Sequence, residues 1–438
     1  MSPVDIRPFI VYIISDSFIK GLSALSSMLQ YVLWGVSFVT LWITLVWLNF
    51  LYAEPAPKKK FSDYPKITFG IPAHNEEATI LKTVKSILDA DYPSAKREII
   101  VVDDGSTDST ASVVREFAAS HPEVRLISQK NGGKASALNT ALENASGDFF
   151  AVVDADSRIA PESIKKSLPN FTEDSIGAVI SRVRVDEPRN FLERIQRFEY
   201  IMSSMIRKIM CNFGTLYMTP GVLSIYRTSL LSRLGGFTRD NNNLTEDLEI
   251  AMRLKHNGYL IRMEPESITY THVPSTLSAL WRQRIRWARG YIYNHIKYRD
   301  MFFSRKHGVY GFFQMPLNVL AVILLVGNIG IIAYDLLNRG FDFVFRSITI
   351  NDYFWTRITD LPTIQQFILA RNIQVYLPIF IGFVLGVYLI YFAHRLFKEQ
   401  FRKQITPLLT YMIVMPYFST LNWVSSIVQE VSRTKRKW

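Results

Sequence analysis

Two patterns of apolar positions divide the chain. Between residues 66 and 156, short apolar runs end in polar residues and give way to helix-like stretches: Ile67-Thr68-Phe69-Gly70-Ile71-Pro72, then Glu98-Ile99-Ile100-Val101-Val102-Asp103-Asp104-Gly105-Ser106, then Phe149-Phe150-Ala151-Val152-Val153-Asp154-Ala155-Asp156. Short apolar runs bounded by turn residues are the pattern of buried strands, and their alternation with helices predicts an α/β fold on a mostly parallel sheet with helices on both faces. Ligands of such sheets bind beyond the carboxyl ends of the strands. Two of these three strands end in paired aspartates, which directs attention to that edge.

The second pattern is long and uncharged. Tyr31 to Ala53, Phe312 to Tyr334 and Val375 to Ala393 carry no charge over roughly 20 residues each, enough for a helix to cross a bilayer. Lys58-Lys59-Lys60 after the first run, and the basic stretch after the third, place those ends in the cytoplasm. Thr406 to Val428 is apolar with Pro416 near its middle, and a simple crossing would put the basic tail from Arg433 to Lys437 outside. A re-entrant or interfacial hairpin therefore competes with a fourth span. Ile6 to Leu29, with Arg7, Asp16 and Lys20, predicts an amphipathic helix lying on the membrane. The resulting division is 1–60 for N-terminal helices, 61–305 for a cytosolic domain and 306–438 for C-terminal membrane or interfacial helices.

The net charge of +12 is concentrated beside apolar runs, where anionic lipid headgroups are the natural partners, so no nucleic acid partner is expected. Cys211 is the single cysteine, which excludes an intrachain disulfide and a multi-cysteine zinc site.

The chemistry-bearing segments have alternative readings when taken singly. Asp103-Asp104-Gly105-Ser106-Thr107-Asp108 reads as a turn and helix cap as readily as a binding loop. In Asp154-Ala155-Asp156 the extended period of two sends both carboxylates to one side, suited to a hard divalent cation on a diphosphate; a solvated loop is the alternative. Gly132-Gly133-Lys134 before a helix-forming run suits an anion at a helix start, or simply a surface lysine. Thr245-Glu246-Asp247 and Gln283-Arg284-Ile285-Arg286-Trp287 complete the set, the second lying in a segment that also reads as an interfacial helix.

Taken in order, Ile71-Pro72-Ala73-His74-Asn75-Glu76-Glu77, Val102-Asp103-Asp104-Gly105-Ser106, Gly133-Lys134, Asp154-Ala155-Asp156, Thr245-Glu246-Asp247 and Gln283-x-x-Arg286-Trp287 resemble the motifs of processive family 2 glycosyltransferases, the group of cellulose, chitin, hyaluronan and poly-N-acetylglucosamine synthases. The resemblance implies a GT-A type nucleotide-sugar-binding domain joined to membrane helices. It implies a uridine pocket at Pro72, Ala73, Glu76 and Asp103 or Asp104, donor contacts from Lys134 and Asp154, and Mg2+ or Mn2+ held by Asp156. It further implies Asp247 as general base with Glu246 the alternative, and Gln283, Arg286 and Trp287 beside the acceptor sugar and the diphosphate. Gly221, in the Thr219-Pro220-Gly221 loop, and Arg182, Arg184, Gln196, Glu199 and Tyr200 fall near the acceptor end, surface ion pairs being the other reading of the arginines.

The activity so implied is inverting polymerisation of a β-linked polysaccharide from a UDP-sugar, UDP-N-acetylglucosamine ahead of UDP-glucose, by a multi-pass protein of the plasma or inner membrane. The partners are the UDP-sugar, the growing chain and the bilayer, with an accessory subunit or a second copy completing an export path. The rivals are a non-processive transferase acting on a lipid acceptor and a non-catalytic nucleotide-binding scaffold.

Overall fold

A computed structural model of the chain describes residues 58–359, 373–399 and 405–435, together with scattered helical positions between 31 and 50. In chain order these hold β1 (Ile67–Ala73), α1 (Ile80–Leu88), β2 (Arg97–Asp104), α2 (Thr110–Ala118), β3 (Val124–Gln129), α3 (Lys134–Glu143), β4 (Phe149–Val152), β5 (Arg158–Ile159) and α4 (Ser163–Ser167). They continue with β6 (Ile176–Val185), α5 (Phe191–Asn212), β7 (Ser224–Arg227), α6 (Thr228–Arg233), α7 (Glu246–His256), β8 (Leu260–Thr271) and α8 (Leu277–Lys297). Four further helices follow: α9 (Met315–Thr349), α10 (Tyr353–Thr359), α11 (Ile373–Leu396) and α12 (Ile405–Val431).

The three apolar runs are strands β1, β2 and β4, and the sheet order is β3-β2-β1-β4-β7-β6-β8-β5. Alternate residues serve opposite faces. Ile99 and Val101 of β2 join one apolar core, and Ile100 and Val102 join the other. Both faces being covered is why these strands read as continuous apolar runs. The expectation of a mostly parallel sheet needs correcting to a mixed one: β7 runs antiparallel to both β4 and β6, and β5 runs antiparallel to β8. The antiparallel strands carry no repeated strand-helix signature, so the sequence pattern reports only the parallel half.

By contacts the chain divides into two units, one of residues 50–322 and 393–438, the other of residues 1–49 and 323–392. In the first, α12 is one continuous helix through Pro416, so the expected hairpin is not formed. The proline forgoes one helical hydrogen bond, while Met415 and Thr420 on either side are buried. Met415 packs with Ile195 of α5 and Leu280 of α8, and Asn422 Nδ2 donates to the Trp281 carbonyl at 3.2 Å.

In the second unit, Ile323, Leu336, Leu337, Phe341, Phe380 and Phe383 are exposed apolar side chains. Among the described residues one stretch, Tyr310–Gly327, is helical, long and apolar enough to cross a membrane, and Phe380–Leu396 is a shorter apolar helix. The first run, Tyr31 to Ala53, is described only at scattered helical positions, and Ile6 to Leu29 lies outside the described residues.

Candidate active site

At the carboxyl edge of the parallel strands Pro72 pairs in register with Val102 and Ala73 with Asp103, which brings the β1 and β2 ends side by side. Both aspartates are buried and committed to local structure. Asp103 Oδ1 accepts the Ser106 N–H at 3.1 Å, closing the turn. Asp104 Oδ1 accepts from Gly132 N at 2.9 Å and Gln129 Nε2 at 2.7 Å, and its Oδ2 accepts from Gly133 N at 2.8 Å. The turn in this motif is thus formed. Asp104 also braces the diglycine loop that launches α3. Gly105 is required in that arrangement, since φ is +70° and a Cβ would lie 2.8 Å from the Asn131 amide nitrogen.

Lys134, the first residue of α3, is held away from the surface position that was one of its two readings. Its Nζ lies 2.6 Å from Asp154 Oδ1 and 2.9 Å from Glu246 Oε1, so one ammonium joins the β4 end to the start of α7. Gly221 makes the meeting possible: a Cβ there would stand 2.7 Å from both Lys134 Nζ and Asp154 Oδ1, and its carbonyl accepts the Asp154 N–H at 2.9 Å. These residues line a cleft of about 430 Å³ that also includes Asp156, Asp247, Gln283, Arg286 and Trp287. Pro72, Ala73, Glu76, Asp103 and Asp104 are not among its lining residues; they form the neighbouring strand-end group.

Two carboxylates in the cleft are shifted upward. Asp156 rises to about 6 because burial disfavours its charge and Asp154 and Glu76 add like charge. Asp247 also rises to about 6, from burial and adjacent Glu246, against the opposing pull of Lys134 and Arg286. Its Oδ1 accepts the Leu248 N–H at 2.8 Å within the first turn of α7. Glu246 is 3 % exposed, and its Oε2 finds no hydrogen-bond partner among the described residues.

The segment Gln283 to Trp287 is helical, within α8, and is pressed onto the Thr245 loop by a glycine. A Cβ at Gly290 would stand 2.3 Å from Thr245 Oγ1, and Asn294 Nδ2 donates to that same oxygen at 3.0 Å. Arg286 Nη1 reaches the Leu244 carbonyl at 3.5 Å. Trp287 is 37 % exposed, with the Arg284 guanidinium 4.2 Å from its ring centre. Arg284 Nη2 is in turn 2.8 Å from Glu199 Oε2. The Gln283 Oε1 is buried without a hydrogen-bond partner among the described residues.

Sequence reasoning assigned no part to Arg284, Ser203, Arg207 or His272, all of which line the cleft. Glu199, Ser203 and Arg207 stand four residues apart along α5, a polar stripe inside an amphipathic helix that the 3.6-residue period could have revealed. Burial holds the Arg207 guanidinium below its ordinary value. Arg182 and Arg184 go elsewhere. With Arg197 they converge on Glu399 just past α11, at 2.5, 3.0 and 2.6 Å respectively. Neither lines the cleft, so the ion-pair reading is the realised one, though its carboxylate is buried. Gln196 Nε2 donates to the Pro274 carbonyl at 2.8 Å and is likewise structural.

Comparison with known proteins bears on this geometry. The family model described as glycosyltransferase like family 2 matches residues 65–290. The probable glycosyltransferase YdaM of Bacillus subtilis (strain 168) is 30% identical over 410 residues, covering 84% of this chain and 96% of that protein. The poly-beta-1,6-N-acetyl-D-glucosamine synthase of Staphylococcus aureus (strain COL) is 32% identical over 242 residues, 55% of this chain and 57% of the synthase, so the alignment spans little more than half of that relative. Among solved structures, the mannosyltransferase PcManGT from Pyrobaculum calidifontis in complex with GDP-Man and Mn2+ superposes with a TM-score of 0.60 at 21% identity, covering 92% of this chain and 96% of that one. At that identity the likeness is one of fold, a GT-A-like α/β arrangement. With a family model spanning more than half of the chain and a relative aligned along nearly its whole length, the chain belongs to family 2 of the glycosyltransferases.

Proposed function

We propose that the cleft transfers a sugar, with inversion, from a UDP-sugar to the end of a growing β-linked polysaccharide, N-acetylglucosamine being the favoured unit. The observation that carries this reading is the convergence of Asp247, Lys134, Asp154, Asp156, Arg286 and a half-exposed Trp287 on one cleft. The similarity to poly-beta-1,6-N-acetyl-D-glucosamine synthases supports the choice of sugar and of a polymer product.

An acceptor hydroxyl is a weak nucleophile, so Asp247 takes its proton as the oxygen attacks the anomeric carbon and the bond to the diphosphate oxygen breaks. A single displacement of this kind inverts the anomeric centre. Arg286, whose charge already acts on Asp247, stands where it can stabilise the departing diphosphate more in the transition state than in the ground state. The Trp287 face that the Arg284 guanidinium leaves uncovered would offer the acceptor ring an apolar platform. Pro72, Ala73, Glu76 and the Asp103-Asp104 turn would frame the uridine. Glu246 tethers Lys134, and Gly221 leaves room for the donor-facing lysine-aspartate pair.

The donor set fits a hard divalent cation. Asp156 is pushed up to about 6 by burial first and then by the like charges of Asp154 and Glu76, against a smaller opposing pull from Lys134, and oxygen ligands suit Mg2+ or Mn2+. Asp156 and Asp154 would hold the ion, and bound there it would neutralise the diphosphate. The exposed apolar side chains of the second unit and the Tyr310–Gly327 helix support association with a membrane. We propose in addition that the chain crosses the plasma or inner membrane more than once, with this cleft in the cytoplasm.

The test is UDP release by the full chain in detergent or lipid against a panel of UDP-sugars, with chelator as control and the product sized. Release from UDP-N-acetylglucosamine, abolished by chelator and accompanied by polymer, is the expected result. A product carrying one sugar on a lipid would replace the polymer reading, no release from any donor would leave a scaffold, and release that persists in chelator would remove Asp156 as metal ligand.

A further inference from the structure

We propose that His256, Asp300 and His307 bind a transition-metal ion, Zn2+ being the best fit, that clips the far end of α7 to the segment joining α8 and α9. The three residues belong to separate pieces of chain: the last residue of α7, the turn Arg299–Met301 and the turn Arg305–His307. Their ligand atoms nevertheless all lie within 4.8 Å of one another. His256 Nε2 is 2.7 Å from Asp300 Oδ2, and the two imidazole rings stack at 4.9 Å between centroids with 22° between planes.

The hydrogen-bonded histidine-aspartate pair supplies two donors, and His307, held by the His256 backbone and by ring contact, brings a third within the same reach. Tetrahedral Zn2+ with bonds near 2.0–2.2 Å sets its ligands roughly 3.4 Å apart, so the His256–Asp300 pair at 2.7 Å must open and the wider separations, up to 4.8 Å, must close. The side chains of His256 and Asp300, 34% and 60% exposed, have room to do so and leave a side open for entry and a fourth, water ligand.

The donor chemistry selects the ion. Two imidazoles and one carboxylate suit Zn2+ or Co2+, whereas Mg2+ prefers an all-oxygen set. Lys306 beside His307 opposes any cation, which further disfavours ions without affinity for imidazole nitrogen. The carboxyl end of α7, where the helix dipole is negative, works the other way. None of these residues lines the cleft, so the site is separate from the Asp154-Asp156 pair and does not rest on the reaction proposed above. Its place in the frame is specific. Asp247 stands at the opposite end of α7, and Asp300 follows the helix that carries Arg286 and Trp287, so an ion here would fix the two catalytic helices to each other at their far ends.

The full chain, stripped with chelator in detergent, is titrated with Co2+ as a visible stand-in and then with Zn2+ in competition. The expected result is about one equivalent of Co2+ with the intense visible absorption of a four-coordinate site, displaced by Zn2+. This binding should weaken at least ~10-fold in His307→Ala and persist in Asp156→Asn. Metal-free melting of His307→Ala should match the parent, and Asp300→Asn, which keeps a hydrogen bond to His256, provides the same reading if it does not. Absence of the visible band, or binding that survives His307→Ala and Asp300→Asn but is lost in Asp156→Asn, overturns the proposal.

Discussion

Asp247 is held by opposing forces: burial and Glu246 raise its carboxyl, while Lys134 and Arg286 lower it, and the balance falls near 6. The proposed base must be deprotonated to act, so on that reading UDP release should fall as pH drops through about 6 and level off above it. Asp247→Asn should lower the rate by about 10²–10⁴-fold across that range, measured on the purified chain. Asp156 ties stability to metal and pH. Its carboxyl titrates near 6 when folded and at the ordinary aspartate value when unfolded, so the folded state binds the extra proton between them. That contribution is complete below the unfolded value and lost as pH rises through about 6. Mn2+ or Mg2+ should therefore raise the melting temperature clearly at pH 8 and little at pH 5, and Asp156→Asn should remove the difference. Lys134 is the shared partner of Asp154 and of buried Glu246, so Lys134→Met strands both carboxylates and should cost about 3 kcal/mol in denaturant unfolding. Adding Glu246→Gln should recover part of that stability and none of the activity.

Between α7 and α8 the seam is set by one missing side chain. Gly290 lets α8 approach Thr245 so closely that a Cβ would overlap its hydroxyl, and this approach sets where Arg286 and Trp287 stand relative to Asp247. Gly290→Ala should destabilise by about 1–3 kcal/mol through overpacking and should lower UDP release beyond what unfolding explains, read by chemical denaturation alongside kinetics. On its other side α8 is held by α12. Arg289 Nε meets Glu430 Oε1 at 2.6 Å and its Nη2 donates to the Thr434 carbonyl at 2.7 Å, while the Tyr291 and Trp423 rings meet edge-on at 5.4 Å. The helix carrying Gln283, Arg286 and Trp287 is thus clamped between the Thr245-Glu246-Asp247 segment and a C-terminal helix.

That clamp makes residues 393–438 part of the catalytic unit although an entire apolar segment intervenes in sequence. A chain ending before Ile405 should expose Leu280, which is fully buried in the intact protein, and should lose both a cooperative melt and UDP release even in detergent. The parallel strands and the apolar runs were legible along the chain because each is a local pattern of short or long uninterrupted apolar length, while the paired aspartates and the Thr245-Glu246-Asp247 and Gln283-Arg286-Trp287 motifs were legible through their resemblance to a family. The family followed from the order of those motifs, and its match to residues 65–290 agrees. Other features had no local signature. The antiparallel strands β5 and β7 are short, and Pro416 reads as a break until α5 and α8 hold one face of the helix that contains it. Asp104 also braces backbone amides of a loop 28 and 29 residues away, a partnership that no local pattern announces. The joining of Lys134 to Glu246, the stripe on α5 and the capture of Glu399 by three arginines all depend on residues far apart in the chain meeting in space. The sequence by itself determined the parallel strands, the long apolar segments and which chemical groups the protein carries, because propensity and periodicity act over a few residues. Which carboxylates share a cation, which helix presses on the catalytic loop and which charges are buried together were decided only by the tertiary structure, because burial and Coulomb energy depend on distance in space and not on separation along the chain.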